Sequence, residues 1–180
     1  MIAVWNPKAL TPAELEKDLL ELAGVLYATV HAGGSVSFIL PFSIQDSVGF
    51  WRDKVLPGVL AGTRHVLVAR PDDGGGAVIR GTVQADFATP QNQAHRAELA
   101  KLLVHPSARR HGLARALMIE VESLIRRSGR TLITMDTVTG GDAERLYLSM
   151  GYKAAGAIPG YARKALTPEL ESTTVLYKTL

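Results

Sequence analysis

Residues 102–115 read LLVHPSARRHGLAR and carry the strongest structural signal in the chain. An apolar strand ends at Val104, a short loop follows, and a helix begins just after Gly112. The first turn of a helix leaves about four backbone N–H groups without partners and carries a partial positive charge. A glycine at this position has no Cβ, so a ligand can approach the backbone closely. The stretch therefore predicts a strand, a loop and a helix start that together bind an anion such as a pyrophosphate.

Basic residues surround this loop. Arg109, Arg110 and Arg115 flank Gly112, and each guanidinium can make charge-assisted contacts with phosphate oxygens. An ordinary helix start with surface arginines is the alternative, and the loop alone does not exclude it. Other phosphate-binding loops fit badly, because the chain has neither the Gly-Lys-Ser/Thr of a P-loop nor the G-x-G-x-x-G of a dinucleotide fold.

The composition is that of a globular protein. The chain has 180 residues, of which 47% are apolar and 21% charged, and we expect a single domain over residues 1–180. It contains no cysteine, which excludes a disulfide scaffold, a zinc finger, a thiol nucleophile and a thiolate-held iron–sulfur cluster. The net charge of +3 is small for a nucleic-acid-binding protein. No signal peptide or long apolar run is visible, so we expect a cytoplasmic protein without a membrane partner.

The pattern of apolar residues outlines the remaining elements. A first helix is expected after Thr11, where Glu14 completes a capping box, and a second after Ser43. The turn at residues 71–76 separates two strands of a hairpin. Strands are expected at 66–69, 78–87, 98–104, 131–138, from 152 and at 173–177, and further helices from 113 to 127 and at 143–149. This order predicts a mixed sheet, antiparallel at first, with a parallel pair at its centre.

Two motifs resemble those of the GNAT superfamily of N-acetyltransferases. Arg109-x-x-Gly112-x-Ala114, which follows Val104-x-Pro106, is similar to the family's acetyl-CoA motif. Residues 143–152 are similar to its later helix, with Tyr147 four residues before a Gly-Tyr pair. The resemblance implies the GNAT α/β fold, a mixed sheet with antiparallel first strands and a splayed central parallel pair, flanked by helices. Residues 29–36, 135–137, 159–161 and 175–180 look most like the tabtoxin resistance branch of the family.

The resemblance also implies the chemistry, which is direct transfer of acetyl from acetyl-CoA to an amine in a ternary complex. Tyr147 is the expected acid for the leaving thiolate, against the alternative of a core tyrosine. The base stays open between Glu98, Asp136 and a water. Glu98 begins the strand before the loop, where burial would raise its pKa, or it is an exposed strand-end glutamate. Asp136 interrupts an apolar strand, where a carboxylate is costly unless it is paired or binds the acceptor ammonium.

Further site residues follow from the same resemblance. The strand residues are expected to pair with the pantetheine arm and to supply the oxyanion donor, and a β-bulge is expected where the strands part for the cofactor. The expected cofactor-binding residues are Leu102, Leu103, Val104, Arg109, Arg110, His111, Gly112, Leu113, Ala114 and Arg115. His31, Asp136 and Tyr161 are expected in the acceptor pocket, with ordinary packing as the alternative for His31 and Tyr161. No metal-ligand spacing is present.

The sequence leaves several functions open. A small-molecule amine is the expected acceptor, for example an amino-acid-like toxin or antibiotic. The alternatives are a non-catalytic acyl-CoA sensor and an acetyltransferase acting on protein N-termini or lysines. A nucleic-acid-binding module is disfavoured by the modest net charge. A homodimer remains open.

Overall fold

A computed structural model describes residues 5–71 and 78–180 of the chain. The turn predicted at 71–76 lies outside the described residues from position 72 onward. The strands are β1 (Lys8–Ala9), β2 (Arg64–Ala69), β3 (Gly81–Asp86), β4 (Arg96–Val104), β5 (Leu132–Val138), β6 (Lys153–Arg163) and β7 (Leu170–Thr179). The helices are α1 (Pro12–Lys17), α2 (Leu19–His31), α3 (Ile44–Gly49), α4 (Leu56–Leu60), α5 (Leu113–Arg127) and α6 (Asp142–Ser149).

The first predicted helix is present but is divided in two. Thr11 and Glu14 form the expected capping box at the start of α1. The helix then breaks at Asp18, which is almost fully buried. Its carboxylate forms an ion pair of 2.9 Å with Arg70, the residue that follows β2. This contact across the fold holds the aspartate in place at the junction, and α2 starts at Leu19 directly after it.

The second predicted helix contains a wide turn. Ser43 caps α3, as expected, and residues Phe50–Val55 then form a π-helical segment before α4. Pro57 lies in the first turn of α4 and has no N–H to donate to the carbonyl of Asp53. A π-helical turn before a proline relieves the clash between its ring and that carbonyl.

The described strands form one mixed sheet in the order β1-β2-β3-β4-β5-β7-β6. Only β4 and β5 run parallel, and every other pair is antiparallel. The parallel pair is short: the last matched residues are Glu98 and Thr134, and the two strands separate beyond them. The predicted α/β fold, with antiparallel first strands and a splayed parallel pair at its centre, is confirmed.

A β-bulge interrupts β4 where it leaves β5. The register with β3 shifts between Thr82 and Gln84, and Lys101 has a φ of +52°. Beyond the bulge, the side chains of β4 point to the opposite face of the sheet from the one that regular alternation would give. Leu99 packs in the core beneath α5, whereas Leu103, four residues later, packs in the core beneath α1–α4. In a regular strand these two side chains would share one face.

An ion pair between α5 and β7 also contacts the end of α6. Lys178 Nζ on β7 donates to Glu122 Oε2 on α5 at 2.7 Å and to the carbonyl of Met150 at 2.8 Å. The same ammonium lies over the ring of Tyr152, 5.2 Å from its centroid. These contacts tie α5 and β7 to the residue that ends α6.

Candidate active site

The start of α5 presents free backbone amides to the loop before it. Gly112 occupies the N-cap position with a φ of +79°, and no side chain caps the helix. A Cβ added at Gly112 would meet no heavy atom within 4 Å, so the space beside this residue is open. Arg110 also has a positive φ, of +66°. The loop therefore leads into a 15-residue helix, as the sequence predicts, and no side chain accepts a hydrogen bond from the backbone N–H groups of its first turn.

The loop arginines differ in what they contact. The Arg109 side chain is exposed and makes one long contact of 3.5 Å from Nε to the carbonyl of Val104. Arg110 lies 3.7 Å from the carboxylate of Asp142 at the start of α6. Arg115 donates to Ser149 Oγ at 2.8 Å, and the His111 carbonyl accepts from Trp5 Nε1 at 2.9 Å. Arg110 and Arg115 thus link this loop and α5 to α6.

The end of β4 is paired on one side only. Leu103 and Val104 match Thr82 and Gly81 of β3, whereas the β5 side has no strand partner after Glu98. Leu103 is buried, and Leu102 and Val104 are half-buried. The backbone of Leu102, Leu103 and Val104 thus lies along the gap between the separated strands, next to the loop that leads into α5.

Tyr147 lies on α6 and is 6% exposed. Its ring contacts that of Tyr152, with 5.7 Å between the centroids. Burial and, after it, the negative charge of Asp136 raise the pKa of Tyr147 well above the usual range of a tyrosine. The hydroxyl thus keeps its proton well above physiological pH.

Glu98 and Asp136 both have exposed side chains. The Glu98 side chain is 55% exposed and pairs with Arg96 Nη1 at 3.1 Å, so of the two alternatives the structure favours the exposed strand-end glutamate over the buried carboxylate. Asp136 is exposed as well, because the strands have separated on its side, and it accepts a hydrogen bond of 3.0 Å from Thr173 Oγ1. Exposure and this hydrogen bond thus relieve the cost expected of a carboxylate inside an apolar strand. Both residues lie at the opening of the sheet, Glu98 at the last matched position and Asp136 just beyond it.

The two other predicted pocket residues lie on different elements. His31 ends α2, stacks on Tyr27 with 3.9 Å between the ring centroids, and lines an open groove of about 650 Å³ with residues of the α2–α3 connection. Tyr161 lies on β6 and is 57% exposed. Within residues 5–71 and 78–180, neither side chain makes a hydrogen bond or ring contact with Glu98, Asp136 or Tyr147.

Lys101 belongs to the same opening and was not predicted. Its ammonium donates to Ser37 Oγ at 3.0 Å and lies 5.8 Å and 5.7 Å from the ring centroids of Phe38 and Phe50. Burial lowers the pKa of Lys101, and the charge of Asp136 opposes that shift. The only sequence signal is a lysine inside an otherwise apolar strand, which by itself indicates no role.

Comparison with known proteins identifies the family. Residues 62–154 match the model of the acetyltransferase (GNAT) domain. An uncharacterised N-acetyltransferase from the hisH-hisA intergenic region of Azospirillum brasilense is 34% identical over 121 residues, which are 66% of this chain and 67% of that protein. The chain belongs to the GNAT acetyltransferase family. The matched range of this acetyltransferase includes the bulge, the loop and both motif helices.

Solved structures share the fold of the acetyltransferase. A GCN5-related N-acetyltransferase from Kribbella flavida has a TM-score of 0.75 and 20% identity, with 98% of each chain covered. A Salmonella typhimurium protein assigned as an acetyltransferase and solved with its cofactor acetyl-CoA has a TM-score of 0.71 and 17% identity, with 99% of this chain and 95% of that chain covered. At sequence identities of 20% and 17%, the likeness to these two structures shows a shared fold and nothing further.

In the parts of the chain that the structure describes, no helix has the length and apolar character that a membrane span requires. The same residues hold no cluster of three or more side chains that could bind a metal ion.

Proposed function

We propose that this acetyltransferase transfers acetyl from acetyl-CoA to the primary amine of a small molecule, directly and in a ternary complex. One observation carries the proposal: β4 and β5 separate beyond Glu98, β4 leads from there to the uncapped start of α5, and the opening is bordered by Asp136, whose charge acts on Tyr147. The chain has no cysteine that could hold the acetyl group as a thioester. A direct transfer is therefore the simplest route.

The residues at this opening fit the cofactor. The amides at the start of α5 and the exposed guanidinium of Arg109 suit the pyrophosphate of acetyl-CoA, and the open space at Gly112 admits it. The free edge of β4 at Leu102, Leu103 and Val104 suits the amide groups of the pantetheine arm, which would add to the sheet like a strand. The remaining members of the proposed cofactor site are Arg110, His111, Leu113, Ala114 and Arg115. When bound, acetyl-CoA supplies the activated acetyl group and a thiolate leaving group.

The proposed chemistry needs a proton donor and a proton acceptor. Tyr147, neutral at physiological pH, is the proposed acid that protonates the leaving sulfur. Glu98 is the proposed base for the acceptor ammonium, acting directly or through water from the mouth of the opening, and Asp136 is the second candidate. A backbone N–H of β4 near Leu102 is the proposed donor to the carbonyl oxygen of the acetyl group as charge develops on it.

The likeness to the tabtoxin resistance branch supports a small, amino-acid-like acceptor. His31, which lines the groove, and the exposed Tyr161 are proposed to line the acceptor pocket together with Asp136. Acetylation of a macromolecule, for example at a protein N-terminus, would replace the small-molecule acceptor in this proposal.

A thiol-release assay tests the proposed function. The protein is incubated with acetyl-CoA and separate pools of amino acids, polyamines, aminoglycosides and short peptides, and free thiol is measured. Amine-dependent thiol release with a small amine is the expected result. Release with peptides alone would reassign the acceptor, and binding of acetyl-CoA without turnover on any amine would favour an acyl-CoA sensor.

Binding of the cofactor is tested separately by melting temperature. Acetyl-CoA should raise the melting temperature, and acetyl-pantetheine, which lacks the nucleotide and its pyrophosphate, should raise it less at the same concentration. Equal stabilisation by the two compounds would remove the argument for a pyrophosphate site at α5.

A further inference from the structure

Lys101 is held at the opening of the sheet by an unusual backbone. Among the described residues, three that are not glycine have a positive φ: Ser37 at +74°, Lys101 at +52° and Arg110 at +66°. Such backbone is disfavoured for residues with a Cβ, and it tends to occur where a functional geometry requires it. Two of the three, Ser37 and Lys101, meet through a hydrogen bond of 3.0 Å.

The bulge determines where Lys101 points. Regular alternation would turn its side chain toward α5, on the face of Leu99. The bulge instead directs it to the opposite face, where it contacts Ser37, Phe38 and Phe50 from the α2–α3 connection and the π-helical turn. The ammonium therefore faces the side of the sheet that carries α2 and α3.

The charge of Lys101 is incompletely compensated. Ser37 supplies one hydroxyl, and the two phenylalanine rings supply cation–π contact. No carboxylate among the described residues lies within ion-pair distance of its ammonium. Burial lowers the pKa of Lys101, the charge of Asp136 opposes that shift without pairing with the ammonium, and the positive charge of Arg64 adds to it. Lys101 is half-buried, and a partly buried cation without a close anion is costly, so a bound anion would offset part of that cost.

We propose that Lys101 and Ser37 bind the carboxylate of the acceptor, so that the preferred substrate is an amine that also carries a carboxylate, as an amino acid does. The ammonium of Lys101 and the hydroxyl of Ser37 offer a donor to each carboxylate oxygen. Asp136, on the other side of the opening, has the charge that attracts the acceptor ammonium. A zwitterionic acceptor would then lie between the two, with its amine toward Tyr147 and the end of β4. This inference rests on the proposed function and narrows its substrate class.

The test compares three forms of each acceptor: the free amino acid, its carboxamide and the amine that lacks the carboxyl group. We expect kcat/KM for the free acid to exceed that for the carboxamide by roughly tenfold to a hundredfold, the range of one hydrogen-bonded charge. Lys101→Met should bring this ratio close to one and leave the KM for acetyl-CoA unchanged. Lys101→Arg keeps the positive charge and should keep the preference.

Lys17→Met is the matched control, because Lys17 is an exposed lysine at the end of α1. Its ratio should equal that of the unaltered protein. A ratio in Lys101→Met that matches the unaltered protein would overturn the inference, as would a preference of the unaltered protein for carboxamides. In both cases acetylation of amines would still stand. Failure to acetylate any form of any acceptor would instead overturn the proposed function, and this inference with it.

Discussion

The carboxylate of Asp136 lies close enough to Tyr147 for its charge to raise the pKa of the tyrosine hydroxyl, in addition to the larger effect of burial. Asp136 is on β5, just past the point where β4 separates, and Tyr147 is on the helix that follows β5. The separation of two strands thus leaves an exposed carboxylate beside a buried, neutral phenol. This pairing is the basis of the first two predictions.

Removal of the Tyr147 hydroxyl should impair the chemical step. We expect Tyr147→Phe to lower kcat by ~10²–10⁴, the usual contribution of a positioned acid or base, with little change in the KM for acetyl-CoA. Steady-state assays with a chemistry-limited acceptor measure this. Tyr152→Phe is the control, because it removes a hydroxyl from the adjacent ring. Equal losses in the two variants would argue that Tyr147 acts through packing alone.

The pH dependence should separate the acid from the base. The raised pKa of Tyr147 means that its hydroxyl keeps its proton at higher pH than an ordinary tyrosine, so Tyr147 should cause no fall in kcat up to about pH 10. We expect Glu98→Gln to change the acidic limb of kcat/KM, because a base must lose its proton to act. The same profile is measured for Asp136→Asn. An acidic limb that is unaffected by Glu98→Gln but changed by Asp136→Asn would transfer the role of base to Asp136.

Two glycines at opposite ends of α5 allow a controlled test of the phosphate site. Gly112 and Gly129 have φ values of +79° and +73°, and a Cβ on either would meet no atom within 4 Å. Alanine at either position should therefore cost about 1 kcal/mol of stability through backbone strain. Only Gly112→Ala should also weaken acetyl-CoA binding, by about tenfold, because it disturbs amides that face the pyrophosphate. Calorimetric titration measures the binding, and similar losses for both variants would contradict this assignment.

The ion pair between α5 and β7 should be a strong contributor to stability only while both partners are present. The side chains of Glu122 and Lys178 are 6% and 18% exposed. We expect Lys178→Met to lower the free energy of unfolding by about 3 kcal/mol, because among the described residues it leaves the buried Glu122 carboxylate only the half-exposed Arg126, at 3.7 Å, as an ion-pair partner. The double variant Glu122→Leu with Lys178→Met should recover much of that loss. Urea denaturation of the three proteins measures this, and a double variant less stable than Lys178→Met would refute the explanation.

The elements that the sequence predicts well are those with local signals. Gly112 and Gly129 bracket α5 within one stretch of chain, and the Thr11–Glu14 capping box lies within four residues. The break at Asp18 depends instead on Arg70, which is far along the chain. The spacing of apolar residues carries no information about a contact with a distant residue, so the sequence predicts one helix where the structure has α1 and α2.

The candidate site shows the same division. The loop from Val104 to Gly112 and the helix of Tyr147 have motifs that can be read directly. Lys101 has none, because its direction is set by a register shift between β4 and β3. The exposure of Glu98 and Asp136 likewise depends on the position along the chain at which β4 and β5 stop pairing, and residue type does not encode that position.

The bulge at Lys101 also determines what a change in the length of β4 would do. Since Leu99 and Leu103 are four positions apart and pack on opposite faces of the sheet, the strand needs the bulge to fill both cores. Loss of a single codon between them would leave the two leucines three positions apart, so a regular strand would still direct them to opposite faces, but the positive-φ backbone of the bulge would be lost. Both cores should therefore tolerate that deletion, whereas the backbone geometry at the opening of the sheet should not survive it.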